Sequence, residues 1–479
     1  MERCTVIFQP DGIAVTVNSG TTLLQAQIAA GLQPDAPCGG RGTCGKCKVR
    51  LDGTQVLACE TPVDRDMTVF TGAAVNSGIL AGDSGKPIPA DGTDSYALAF
   101  DIGTTTLVAY LLNGITGEQL ATAGCMNPQR QFGADVISRI QHAKNTDSHI
   151  LSTCVWDSMR QLTAQLARRA GISPEKITAA AIAGNTAMHH LLLGIDPQPL
   201  VTPPYMPSVS EALELPGACR VRVLPNIAGF VGGDTVACMV STGFDRLEEL
   251  TLLIDIGTNG EMVLGNKHRR IACSTAAGPA FEGARISCGM RGTDGAVDHV
   301  WLEKGRVCYH VIGGSPAAGL CGSGLLDLIA VLLELGIIGE SGRMEDKSFT
   351  LCENVILTQK DVREVQLAKG AIRAGIELLA EAMGAEVSEI KHVFLAGAFG
   401  NYMDPASACR IGMIPPILQE RIQPIGNGAG EGAKLCALSR EAFLYSQTLA
   451  KTTDFLELAS LHQFQDRYID ALMFSEEEP

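Results

Sequence analysis

Cys38, Cys44, Cys47 and Cys59 stand in the run CGGRGTCGKC and the later VLAC. Four thiolates at C-x5-C-x2-C-x11-C spacing can converge on two bridged irons if a pliable loop wraps three of them and a later segment supplies the fourth. Gly39, Gly40, Gly42 and Gly45 provide the pliancy and let backbone amides approach the sulfides. The chemistry this predicts is one-electron transfer by a [2Fe-2S] cluster.

Other readings of the same residues are poorer. Cys44 and Cys47 alone would be a redox C-x-x-C or half a zinc site, but no second Cys or His pair follows at zinc-finger spacing. Plant-type ferredoxins use C-x4-C-x2-C and a distant fourth Cys. Here the first gap is one residue longer and the last is short. The segments that must position the loop read as strand (TVIFQP), strand (IAVTVNSG) and helix (TTLLQAQIAAGL), the opening of a small β-grasp fold. The other twelve cysteines lack ligand spacing and are most simply small buried hydrophobes.

A second chemistry lies downstream. The apolar run Tyr96–Phe100 ends in Asp101-Ile102-Gly103-Thr104-Thr105, and Leu252–Ile254 ends in Asp255-Ile256-Gly257-Thr258-Asn259. Such a turn offers backbone N–H groups and hydroxyls to phosphate oxygens, and an Asp at the strand end can organise hydrated Mg²⁺. One copy is weak evidence, whereas two copies after apolar strands predict two related α/β halves facing one cleft. A third apolar strand runs into Gly397 and Gly400 (LAGAFG), a turn suited to bordering a nucleoside. Glu261 and Glu282 are each equally readable as the carboxylate that orients the attacking water or as a surface or capping group. Asp234, before an apolar helical run, divides in the same way between cleft carboxylate and helix cap.

Several motifs are excluded or discounted. IGNGAGEG (425–432) lacks the G-x-G-x-x-G register and the βαβ unit of a dinucleotide site, and no P-loop motif occurs. His189 and His190, adjacent on a helix, should point to different faces, one packed and one exposed. The net charge of −15 argues against nucleic acid. No run is apolar enough to span a membrane. Sixteen cysteines without a charged, apolar leader lead us to expect a cytoplasmic protein with reduced thiols.

The two acidic turns and LAGAFG resemble the phosphate and adenosine motifs of the ASKHA superfamily, which includes acetate and sugar kinases, heat-shock ATPases and actin. The resemblance sharpens in NPQRQFGADVISRI (127–140), AGNTAMHHLLLGIDP (183–197), STAAGPAFEGARISCGMRGTDGAV (274–297), CGSGLLDLIAVLLELGII (321–338), AGAFGNYMDP (396–405) and RIGMIP (410–415). With the cysteine motif, these resemble the reductive activators of corrinoid-dependent enzymes over nearly the whole chain.

The resemblance implies an ATP-dependent activator that passes an electron from its [2Fe-2S] cluster to the inactive Co(II) corrinoid of a methyltransferase corrinoid protein, regenerating Co(I). An upstream low-potential donor would supply the electron, and a homodimer is compatible with this reading. The implied layout is a ferredoxin-like domain (1–70), a linker (71–94), two ASKHA lobes (95–250 and 251–445) and a helical tail (446–479). The short loop at 71–94 stands where the family often carries extra linker and middle domains. Cys38, Cys44, Cys47 and Cys59 would hold the cluster, and Asp101 and Asp255 would organise Mg²⁺ and water. Gly103, Thr104, Thr105, Gly257, Thr258 and Asn259 would cradle the phosphates, with Gly397 and Gly400 at the nucleoside. The alternatives are an ASKHA small-molecule kinase with an accessory ferredoxin domain, or an ATP-dependent activator of another low-potential enzyme.

Overall fold

Alternating burial along the first strands shows how the N-terminal segment folds. In Arg3–Gln9 (β1) Cys4, Val6 and Phe8 face inward, as period-2 patterning requires. The computed structural model describes residues 3–9, 12–30, 32, 34, 36, 40, 42, 47–71, 88–146 and 149–474. β1 pairs with Ile13–Asn18 (β2) as a hairpin and lies parallel to Met67–Thr71 (β5), which is antiparallel to Lys48–Leu51 (β3); β3 in turn pairs with Thr54–Leu57 (β4). The sheet order is β2-β1-β5-β3-β4. Helix Leu23–Ala29 crosses this sheet behind a capping box made by Thr22 and Gln25. The strand, strand and helix expected here are present, around a core of their own that includes Val6, Phe8, Leu23 and Val69.

The first lobe is a six-stranded sheet of Tyr96–Ile102 (β6), Thr106–Asn113 (β7), Gln119–Met126 (β8), Ile177–Gly184 (β9), Leu213–Leu215 (β10) and Arg220–Val223 (β11), in the order β10-β11-β9-β6-β7-β8. The second repeats the plan with Thr251–Ile256 (β12), Gly260–Gly265 (β13) and Arg270–Thr275 (β14). Between β14 and the return to the sheet lie Ala296–Glu303 (β15), Arg306–Val311 (β16), Gly319–Leu320 (β17), Ser348–Cys352 (β18) and Val355–Thr358 (β19). His392–Ala396 (β20), Ile422–Pro424 (β21) and Asp454–Phe455 (β22) complete the order β21-β20-β12-β13-β14-β22.

In both lobes the leading strand is antiparallel to the next strand and parallel to a later one: β6 to β7 and β9, β12 to β13 and β20. The repeat expected from the two acidic turns is therefore a repeat of topology. It places Asp101 and Asp255 at the carboxyl ends of equivalent strands, where open α/β sheets take their ligands.

Two helices, Gly233–Thr242 and Gly428–Leu438, join a core shared with residues from both sheets, including Ala99, Ala181, Leu253 and Ala396. Small residues permit the close fit. A Cβ on Gly432 would stand 2.0 Å from the Ala237 carbonyl oxygen, and one on Gly430 would stand 2.5 Å from the Tyr110 hydroxyl. The helix Gly322–Glu334 is apolar along most of its length, with Asp327 buried within it. Among the described residues, no helix is long and apolar enough to cross a membrane.

Candidate functional site

The two turns face each other across a cleft, each braced from behind. In the first, the Gly103 N–H donates to the Thr106 carbonyl at 2.9 Å. Asn127 Nδ2 donates to the Gly103 carbonyl at 2.8 Å, Arg139 Nη2 to the Thr104 carbonyl at 2.6 Å, and Asn185 Nδ2 to Thr104 Oγ1 at 3.0 Å. Arg139 is fully buried, and burial lowers its guanidinium to about 9. In the second turn the Gly257 N–H donates to the Asn259 carbonyl at 2.8 Å.

Glu282 joins the two turns. Its carboxylate accepts from Thr105 Oγ1 at 3.0 Å and from Thr258 Oγ1 at 2.8 Å. The residue ends a short 3-10 turn, Pro279–Glu282, set between Gly278 (φ 78°) and Gly283 (φ 76°). A side chain at Gly283 would collide with Met290, so the tight turn that presents Glu282 depends on that glycine.

Four further carboxyl groups converge nearby. Asp255 lies directly across the sheet from Glu261, and like charges opposite each other oppose ionisation. Burial raises Asp101 to about 6, against which the Asn427 hydrogen bond at 2.9 Å acts. Burial, with the charges of Asp234 and Asp101, raises Asp255 to about 7. Asp234 is raised to about 6 by burial and by Asp101, and Glu261 is raised well above its usual range by burial and by Asp234 and Asp255. Carboxylates that resist ionising together favour a positive counter-charge, although among the described residues no three metal-ligating side chains stand close enough to hold an ion unaided.

The structure thus brings together most of the residues singled out in the sequence. Gly397, at φ 83°, lies against the second aspartate: a Cβ there would be 2.7 Å from Asp255 Oδ1. Gly400 is placed differently, with its bare face toward Leu395 of β20. Asp234 sits in the first turn of Gly233–Thr242, while Gly232 occupies the cap position, so its carboxylate belongs to the acidic group. Asn127, Arg139, Asn185 and Asn427 were not anticipated as site residues. The first three lie in the segments 127–140 and 183–197, and no spacing within those segments marks them as partners of the turn.

The expectation for the adjacent histidines needs correction. Both are buried, because the helix Thr186–Leu193 is enclosed on all sides. His190 Nδ1 donates to the Thr186 carbonyl at 2.7 Å and its Nε2 accepts from the Ser208 N–H at 3.1 Å. Burial holds His189 down at about 4.

In the N-terminal domain, Cys38 and Cys44 lie outside the described residues. Cys47 and Cys59 fit a shared cluster: the Cys59 N–H points to Cys47 Sγ at 3.4 Å, the amide-to-sulfur contact that stabilises thiolate ligands. Gly40, at φ 84°, lies beside Cys59, and a Cβ there would stand 3.0 Å from Leu24 Cδ2 and 3.9 Å from the Cys59 Cβ.

Comparison with known proteins agrees with both halves. Residues 6–71 match the 2Fe-2S iron-sulfur cluster binding domain, 96–247 the RACo middle region, and 249–479 the C-terminal domain of RACo, the ASKHA domain. The middle region is therefore present, contrary to the expectation that only a short loop replaces it. The match falls on the first lobe, whose Asp-Ile-Gly-Thr turn made it readable as ASKHA alone.

The corrinoid activation enzyme RamQ of Eubacterium limosum is 36% identical over 86% of this chain and 75% of its own length. The [Co(II) methylated amine-specific corrinoid protein] reductase of Methanosarcina barkeri is 27% identical, covering 79% of this chain and 77% of its own. The solved structure of a reductive activator for corrinoid, iron-sulfur protein superposes with a TM-score of 0.73 at 29% identity, covering 98% of both chains. A cluster-binding domain joined to a nucleotide cleft of this topology, along nearly the full chain, makes the protein a member of the family of reductive activators of corrinoid proteins.

Proposed function

We infer that the protein is an ATP-dependent reductive activator that passes an electron from its [2Fe-2S] cluster to the inactive Co(II) corrinoid of a methyltransferase corrinoid protein, regenerating Co(I). The observation that carries this is the pair of acidic turns closed over one cleft by Glu282, in a chain whose N-terminal domain brings Cys47 and Cys59 together. When bound, the cluster supplies one-electron redox chemistry, and Cys38, Cys44, Cys47 and Cys59 would hold it.

The residues of the cleft do the rest. Thr104, Thr105, Thr258 and the amides of their turns would bind phosphate oxygens, and Asp101 and Asp255 would hold Mg²⁺, which supplies charge neutralisation when bound. Glu282 or Glu261 takes a proton from the attacking water. Formation of Co(I) is uphill from ordinary donors, and a ligand shifts such an equilibrium only through different affinities for the two states. Closure of the lobes on ATP can provide that difference by changing the surface offered to the corrinoid protein.

The test mixes the purified, cluster-loaded protein with a corrinoid protein, Mg-ATP and a low-potential reductant and follows the Co(I) absorption. Co(I) should accumulate only when all are present, and Co(II) corrinoid protein should accelerate ATP hydrolysis. Phosphoryl transfer to a small-molecule acceptor by protein lacking the cluster would instead establish the kinase alternative.

A further inference from the structure

The segment Ile425–Gly432, dismissed as a dinucleotide motif, links the two lobes. It leaves β21 in the second lobe and enters the helix Gly428–Leu438, which packs on the Gly233–Thr242 helix and on β6 and β9 of the first. The Ile425 N–H donates to the Leu395 carbonyl at 2.8 Å. Gly426, at φ 65°, accepts from the Gly397 N–H through its carbonyl at 2.9 Å, and Gly397 is the residue that abuts Asp255. One residue later, the Asn427 side chain reaches the other aspartate. Its Oδ1 accepts from the Gly430 N–H at 2.8 Å, which turns Nδ2 toward Asp101 Oδ2 and the Tyr110 hydroxyl, both at 2.9 Å.

We propose that Asn427 is a positioning residue that fixes the Asp101 carboxylate relative to the turn holding Asp255, through the connection Gly397, Gly426, Asn427. This rests on the reading of the cleft as a nucleotide site. The choice of side chain supports it. Ser, Thr or Asp would cap the helix as well as Asn does, but Asp has no donor and Ser or Thr must cap and donate from one short hydroxyl, whereas Asn caps through Oδ1 while its separate Nδ2 donates to both Asp101 and Tyr110. The upstream peptide is hydrogen-bonded to β20 of the second lobe, and the helix is packed on the first, with Gly428 against Cys238 and Gly432 against Ala237. Asn427 stands at the joint, so a change in the separation of the lobes is felt at Asp101. The groups facing this carboxylate include Asp234 and Asp255 as well as Asn427.

The test uses the full, cluster-loaded chain and two readouts. In Asn427→Asp and Asn427→Ser, which both preserve the cap, kcat for ATP hydrolysis should fall at least about tenfold. The Mg²⁺ concentration for half-maximal rate should rise several-fold, with the visible cluster spectrum unchanged. Wild-type kcat and Mg²⁺ requirement in Asn427→Asp would leave Asn427 a mere helix cap and overturn the proposal.

The second readout needs no ATP. In Asp101→Asn the Asn427→Asp change should raise the melting temperature rather than lower it, because the hydrogen bond re-forms in reverse. Additive losses, or a double variant that fails to fold where Asp101→Asn folds, would also overturn the proposal. Non-additive melting in a protein that hydrolyses no ATP would keep the link and refute only the nucleotide reading.

Discussion

Thr105 donates its hydroxyl at 3.0 Å to Glu282, a residue 177 positions further along the chain. Because the other carboxylate oxygen accepts from Thr258, the group occupies the space between the two hydroxyls that phosphate oxygens would use. An anion must therefore displace an anion when nucleotide binds.

Replacing Glu282 by Gln keeps the shape and removes the charge. Binding of Mg²⁺ with a non-hydrolysable ATP analogue should tighten by about tenfold, or ~1.4 kcal/mol, measured by calorimetry. Hydrolysis should fall by roughly 10²-fold if this carboxylate takes the proton from water. Unchanged affinity would mean the contact is not broken by nucleotide.

The acidic group makes the free protein sensitive to pH in a definite direction. Asp101 and Asp255 are raised from 3.8 to about 6 and about 7, so the folded state binds more protons than the unfolded one across that interval. Stability contributed by these groups is present below about pH 4 and is lost as pH rises toward 7. Mg²⁺ should restore it, so the melting temperature should respond to Mg²⁺ more strongly at about pH 8 than at about pH 5. An equal response at both would show that the carboxylates do not act together.

Gly397→Ala tests the close approach to Asp255. At φ 83° with a Cβ 2.7 Å from Oδ1, alanine should cost about 1–3 kcal/mol of stability and displace the carboxylate. We expect a lower melting temperature and a marked loss of hydrolysis. Gly400→Ala, facing Leu395 at 3.2 Å, should leave the Mg²⁺ requirement as it is.

Cys47→Ser should abolish the [2Fe-2S] absorption while ATP hydrolysis without a corrinoid protein continues, since the cysteine domain has a core of its own. Co(I) formation should vanish in this variant. Stoichiometric zinc in the wild-type protein prepared without air would contradict the iron assignment.

What could be read from the sequence was whatever sits in one contiguous stretch. The cysteine loop, the strand-to-turn junctions at Asp101 and Asp255, and the LAGAFG turn each carry their pattern within a few residues. The contacts that make them one site are between distant segments: Arg139 to the Thr104 carbonyl, Glu282 to Thr105, Asn427 to Asp101. None has a periodicity, and Glu282, though a candidate for orienting water, was equally readable as a surface or capping acid. Asn427 was hidden inside a glycine-rich run that resembled the wrong motif, because glycines serve close helix packing as readily as they serve phosphates. The buried histidine pair was misjudged for a related reason: a helix enclosed on all sides has no outward face.

The segment that leads into β6 is pinned at several points. Ile88 N–H donates to the Gly117 carbonyl, Asp91 N–H to that of Leu438, and Asp94 pairs with Arg220 at 2.8 Å. Thr71, the last strand residue of the cysteine domain, is 17 peptide steps from Ile88, a span of at most about 60 Å. That length is a ceiling on the separation of the two residues. Any arrangement that would carry the last strand residue of the cysteine domain farther than this from Ile88 is forbidden by covalent length alone, whichever partner holds the domain.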